Sequence, residues 1–262
     1  MADYILIRKG RNALSLVIYI ILNILLGLGS IALTLITKSW IPGIILVLLS
    51  KWRIFAVRPY YWLLNIKSNL VDLIVGSSFV LLAFAVGVNE VLLVHWLLGI
   101  GYAIWLTLIK PRTSPIANEI QALIAVFLGT SATVMLGAGY NSIWLVLPTF
   151  VIGYGASRHV LVQSSEDHDF TLITFICGLV ASEIAWLCHS WMIIYTFGST
   201  GIVLPQLAII LTVIGFLFGR VHRSILKRDG KFKFADVAIP TVFIFLILAI
   251  MIIWFSKPVF DI

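Results

Sequence analysis

Apolar runs long enough to cross a bilayer recur along this chain from one end to the other. A spanning helix needs roughly 20 predominantly apolar residues to match a hydrocarbon core about 30 Å thick. Of the 262 residues, 61% are hydrophobic and only 11% charged, and mean hydropathy is +1.10. An ordinary soluble domain carries about 25% charged residues. A soluble core built from this chain would lack the polar side chains to cover it. The expectation is an all-α integral membrane protein, a polytopic helical bundle forming one transmembrane domain over 1–262.

The hydropathy divides into about nine spans: 13–37, 39–50, 68–88, 91–109, 116–138, 142–157, 170–196, 201–219 and 235–256. The second is short, so eight is the alternative count. The basic start followed by an apolar run resembles a secretory signal, but the run exceeds the roughly 7–15 residues of a signal core and no A-x-A site follows. It is therefore expected to be a retained first span.

Basic residues orient the bundle. With the N-terminus inside, Arg8, Lys9, Arg11, Lys51, Arg53, Arg58, Lys67, Lys110, Arg112, Arg158, Arg220, Arg223, Lys227, Arg228, Lys231 and Lys233 all fall on the inner face. Only Lys38 and Lys257 fall outside. This split is the positive-inside pattern, and it predicts an external C-terminus. It also favours counting the second span, whose loss would invert every later loop. The expected location is the cytoplasmic membrane of a prokaryote. The net charge of +7 then reflects topology and attraction to lipid, with no nucleic-acid partner. The inner segments include a basic loop at 220–233.

Residues 51–67, "KWRIFAVRPYYWLLNIK", mix basic and aromatic side chains. Trp52 and Trp62 suit the headgroup layer, and Arg53, Arg58 and Lys67 suit anionic lipid phosphates. The segment is expected to lie at the interface, broken by Pro59.

Ionisable groups inside hydrocarbon are costly and mark candidate sites. Glu183, in "LVASEIAWLCHSWMIIY", is the one acid near mid-membrane in this arrangement, and it is expected to face other helices or a cavity. His95, His189 and Gln206 fall at similar depths in the outer leaflet. If their spans meet, they form an outer polar pocket, and Glu183 could pass protons beneath it. Asp72 is a secondary inner candidate. For Asp72, Glu119 and Asp236, the simpler role of an acid in a helix's first turn, complementing its dipole, also fits. "GFLFG" at 215–219 permits close helix approach, and Pro205 could kink its helix beside Gln206.

Cys177 and Cys188 stand eleven residues apart in one expected helix, about 16 Å of rise, too far to bond. No HExxH, GxSxG, Walker A or CxxC sequence occurs. No catalytic residue, metal or cofactor is assigned. The leading expectation is a small transporter or channel subunit, proton-coupled through Glu183. The alternatives are a non-catalytic structural or assembly subunit and an intramembrane enzyme acting on a lipid. Expected partners are membrane lipids and either a second copy or another membrane protein.

Overall fold

The computed structural model is helical almost throughout. It describes residues 2–87, 92–137, 139–162, 170–196, 203–226 and 234–255. The helices are α1 (Ala2–Thr37), α2 (Trp40–Leu49), α3 (Trp62–Ser68), α4 (Leu70–Val86), α5 (Leu92–Ile104), α6 (Pro115–Gly137), α7 (Ile143–Val162), α8 (Phe170–His189), α9 (Gln206–Leu226) and α10 (Ala235–Phe255). A π-helical turn, Trp105–Ile109, extends α5. Two single 3-10 turns, Trp52–Ile54 and Pro59–Tyr61, precede α3.

Among the described residues, five helices are long and apolar enough to cross a membrane: Ser15–Thr37, Pro115–Gly137, Ile143–Val162, Phe170–His189 and Gln206–Ile225. The segment Pro59–Ser68 joined to α4 would make a sixth, but the two parts bend by 68°. Each expected span overlaps a helix, so the chain is an all-α membrane protein. The shorter apolar helices, such as α2, fall below spanning length.

The pattern of burial explains why this surface needs lipid. Leu16, Leu22 and Leu25 on α1, Leu172 and Phe175 on α8, and Ile239, Val242 and Phe245 on α10 are all exposed. Water would not tolerate such continuous apolar cover, whereas hydrocarbon does. The core gathers around α4 and α6, where Val75, Val80, Ala125 and Val134 are wholly buried.

Small residues set the closest contacts. α7 and α8 pack along much of their length, because Gly153 and Gly178 let the backbones approach. A β-carbon on Gly153 would stand 2.7 Å from that of Ala181 and 3.1 Å from the Cys177 carbonyl oxygen. By contrast α8 and α9 barely touch. A tight turn joins α1 to α2: Lys38 takes a positive φ of 52°, and Ser39 accepts the Ile41 amide at 3.3 Å to start α2.

Two boundaries differ from the sequence expectation. The run 170–196 stops being helical at His189 and continues as a strand, Ile194–Thr196, paired antiparallel with Val203–Pro205. The β-branched and aromatic residues Ile194, Tyr195, Thr196 and Val203 favour strand pairing here. Pro205 ends the second strand instead of kinking a helix, and the Gln206 amide bonds the Ile193 carbonyl at 2.9 Å. α9 therefore starts and ends later than expected. Arg220 and Arg223, read as part of the basic loop 220–233, sit in its final turns. Residues 227–233 of that loop, and the chain beyond 255, lie outside the described residues.

The glycine contact carries a prediction. Gly153→Leu should force α7 from α8, at about 1–3 kcal/mol for overpacking, and lower the thermal unfolding midpoint in detergent. Gly139→Ala should not, since a β-carbon there meets nothing within 4 Å.

Candidate functional site

Charged residues meet at one end of the bundle. Asp72, in the first turn of α4, is 7% exposed. Its Oδ2 accepts from Lys51 Nζ and, at 2.7 Å, from Lys110 Nζ. Its Oδ1 accepts from Trp105 Nε1 at 3.0 Å. The π turn makes this convergence possible. Residues five apart on an α-helix point about 140° away from each other, but an i→i+5 turn stacks them. The Lys110 amide bonds the Trp105 carbonyl at 2.8 Å, so both side chains reach one carboxylate.

Lys51 follows α2 and is buried. Burial lowers its pKa to about 8, with Asp72 opposing that shift and Lys110 adding to it. Burial also acts against Lys110, but the Asp72 carboxylate outweighs it and raises that group. One carboxylate thus ties the ends of α2 and α5 to α4. The expectation that Asp72 merely complements its helix dipole is too small a role.

Gln121 extends the polar end across α6. Its Nε2 donates to the carbonyls of Ile109 at 2.8 Å and Arg112 at 2.9 Å, closing the turn after α5. Its Oε1 meets His159 Nε2, on α7, at 2.8 Å.

Beside this polar end lies a cavity lined in part by Glu119. It has a volume of about 280 Å³ and runs between α6, α7, α8 and α9. Its walls are apolar: Val126, Ile152, Val180 and Leu211 are typical. Val180, Ile176 and Ile214 also line it while remaining exposed, so the cavity opens sideways where α8 and α9 separate. At its polar end Glu119 Oε2 accepts from Arg223 Nη2 at 2.5 Å. Gly215, Gly219 and Arg223 fall four residues apart on one face of α9. Gly219 leaves room for Glu119, whose carboxyl carbon would be 3.3 Å from an added β-carbon. The "GFLFG" stripe therefore faces α6 and also forms cavity wall.

The residues singled out from sequence do not assemble together. Glu183 lies on the exposed side of α8 with Trp186 and Leu187. No described residue bonds its carboxyl. The expected enclosure is not found within one chain, because Gly178, Ala181, Ser182 and Ala185 occupy the buried side. His95 is buried in α5, bonded through Nε2 to the Ala83 carbonyl at 3.1 Å, with Nδ1 unpartnered. His189 Nε2 meets the Tyr140 carbonyl at 3.0 Å and pins α8 to the α6–α7 turn. Gln206 opens α9. α5 packs on α1 and α4, with at most marginal contact to α8 or α9 among the described residues, so no shared outer pocket forms. Among those residues no three of His, Cys, Asp and Glu converge as metal ligands.

In segment 51–67, Trp52, Arg53, Arg58, Trp62 and Lys67 are all exposed. Trp62 stacks edge-on against Phe55 with centroids 5.5 Å apart, and its Nε1 donates to the Val57 carbonyl at 2.9 Å. Pro59 opens the second 3-10 turn, and the following helix bends sharply from α4. Comparison with family models, curated proteins and solved structures finds no match.

The shared carboxylate makes an asymmetric prediction. Asp72→Asn leaves two ammoniums crowded without a counter-charge and should cost about 3–5 kcal/mol. Lys51→Met leaves Asp72 paired with Lys110 and should cost less. The lowered Lys51 pKa also has a sign. Between about 8 and its ordinary 10.5, the unfolded chain holds a proton that the native state has shed, so stability should rise with pH. Thermal midpoints from pH 7.5 to 10 should show this rise for the native protein and a flatter profile for Lys51→Met.

Proposed function

We propose that this chain is a small multi-pass membrane transporter that takes an amphipathic molecule from the bilayer through the gap between α8 and α9. The cavity carries this reading. It is apolar, opens sideways, and ends at an ion pair beside the polar end of the bundle. Opening the Glu119–Arg223 pair would join a lipid-facing slot to water, as alternating access requires. A proton on Glu119 would release Arg223, so coupling is better supported there than at Glu183.

In this reading all nine apolar segments embed in the membrane. The N-terminus and the basic end are cytoplasmic, and the C-terminus is external. Segment 51–67 then lies along the inner headgroup layer, with Arg53, Arg58 and Lys67 toward phosphates. The cytoplasmic membrane of a prokaryote is the setting that this orientation supports. A cysteine at Lys67 should label only from inside, and one at Asn141 only from outside.

A second reading, an assembly subunit, has one observation of its own. Glu183 is turned outward with no bonding partner, and a helix from a second copy or another membrane protein could supply one. The reading as a lipid enzyme has less support, since no acid–base pair faces the cavity.

Transport can be tested in proteoliposomes with NBD-labelled single-chain amphiphiles bearing anionic, zwitterionic or cationic heads. The protein should speed translocation of at least one, read by dithionite quenching, and Gly215→Leu, which fills the slot, should abolish the gain. Rates equal to protein-free vesicles for all three would overturn the proposal.

A further inference from the structure

We infer that the cavity selects an anionic amphiphile, its head held by Arg223 in exchange for Glu119. This inference rests on the reading of the cavity as an amphiphile site and names the head it takes. Three observations support it. First, among the described residues the Glu119 carboxylate feels two guanidinium charges, Arg223 and Arg220. Second, the Arg223 guanidinium is only partly used. Its Nη2 donates to Glu119, while its buried Nε has no partner among the described residues. A buried guanidinium N–H left unpaired is costly, and a bidentate oxyanion satisfies such a fork. Third, Glu119 lines the end of a mostly apolar slot, so a tail lying in the slot brings its head to Glu119 and to the Arg223 guanidinium bonded to it.

A cationic head would meet two arginines and would have to compete with Arg223 for Glu119. A carboxylate or phosphate meets the opposite situation. It replaces the Glu119 carboxylate at Nη2 and adds the missing acceptor at Nε. Recognition needs both parts of the ligand: the slot contributes burial of the chain, and the guanidinium contributes charge and direction. A free anion would have only the second.

The test uses the full chain in phosphatidylcholine nanodiscs, with tritiated dodecanoate binding read by scintillation proximity. Dodecyl phosphate should displace dodecanoate, while dodecyltrimethylammonium and inorganic phosphate should be weaker competitors by at least about tenfold, the loss expected for a charge-assisted bond or for the apolar chain. Glu119→Gln should tighten dodecanoate binding, because Arg223 no longer has a carboxylate to leave. The double variant Glu119→Gln with Arg223→Gln keeps a neutral hydrogen-bonding pair and should lose the preference for anions. If that variant does not fold, the Glu119→Gln result decides alone.

Gly215→Leu separates the two levels. If it weakens every amphiphile while heads of either sign bind equally and Glu119→Gln changes nothing, the slot stands and the anion assignment is overturned. If Gly215→Leu leaves all binding intact, the slot itself is wrong and the assignment falls with it. Displacement by inorganic phosphate as effective as by dodecyl phosphate would make this a free-anion site and would also overturn the inference.

Discussion

Hydrocarbon offers no hydrogen bonds, and that single constraint arranges most of this molecule. Backbone groups must be satisfied within helices, and side-chain hydroxyls follow the same rule. Thr34 donates to the Ser30 carbonyl, Ser78 to Ile74, and Thr149 to Leu145, each within its own helix. The described ion pairs are displaced to one end, where Asp72 holds two lysines and Glu119 holds Arg223. Between these clusters Gln121 bonds to the turn after α5 and to His159 on α7. The polar end therefore works as a tie across helices that share little else but dispersion contacts.

The cavity follows from where small residues lie. Gly153 and Gly178 draw α7 and α8 together, which leaves α8 without close contact to α9. α9 is held instead by its Gly215–Gly219 face against α6, with Arg223 on Glu119 completing the contact. A gap between α8 and α9 remains on the side facing lipid. An apolar gap costs little in a bilayer, since a chain of the solvent can enter it. That same property suits the proposed ligand, whose tail would lie in it.

Helix positions are legible in the sequence because each expected span is an apolar run, and length and hydropathy carry that signal. The hairpin at 194–205 was not, since "MIIYTFGSTGIVLP" reads as apolar whether it is helix or strand. The site was less legible. Glu183 drew attention by its depth along the chain, but depth does not give direction around a helix axis. Small residues at 178, 181 and 185 mark the buried side of α8 and could have shown that Glu183 points away. Arg223 falls within the expected basic loop 220–233 and so carries no site signal by its charge alone. Its spacing of four from Gly219, and of eight from Gly215, places it on the packing stripe of α9. Lys51 and Lys110 gave no such pattern. Their meeting at Asp72 depends on a π turn and on the packing of three separate helices, which no local spacing encodes.

The central claim is that the slot beside α8 and α9 opens to lipid and closes toward water at Glu119 and Arg223. Site-directed spin labelling tests it directly, with nitroxides placed at Val180, Ile214 and the buried Ala125 of the full chain in nanodiscs. The account predicts strong relaxation by dissolved oxygen and weak relaxation by a water-soluble nickel chelate at Val180 and Ile214, with Ala125 shielded from both. Strong relaxation by the nickel chelate at Val180 and Ile214 would mean that the gap is a water-filled path, and would contradict the account.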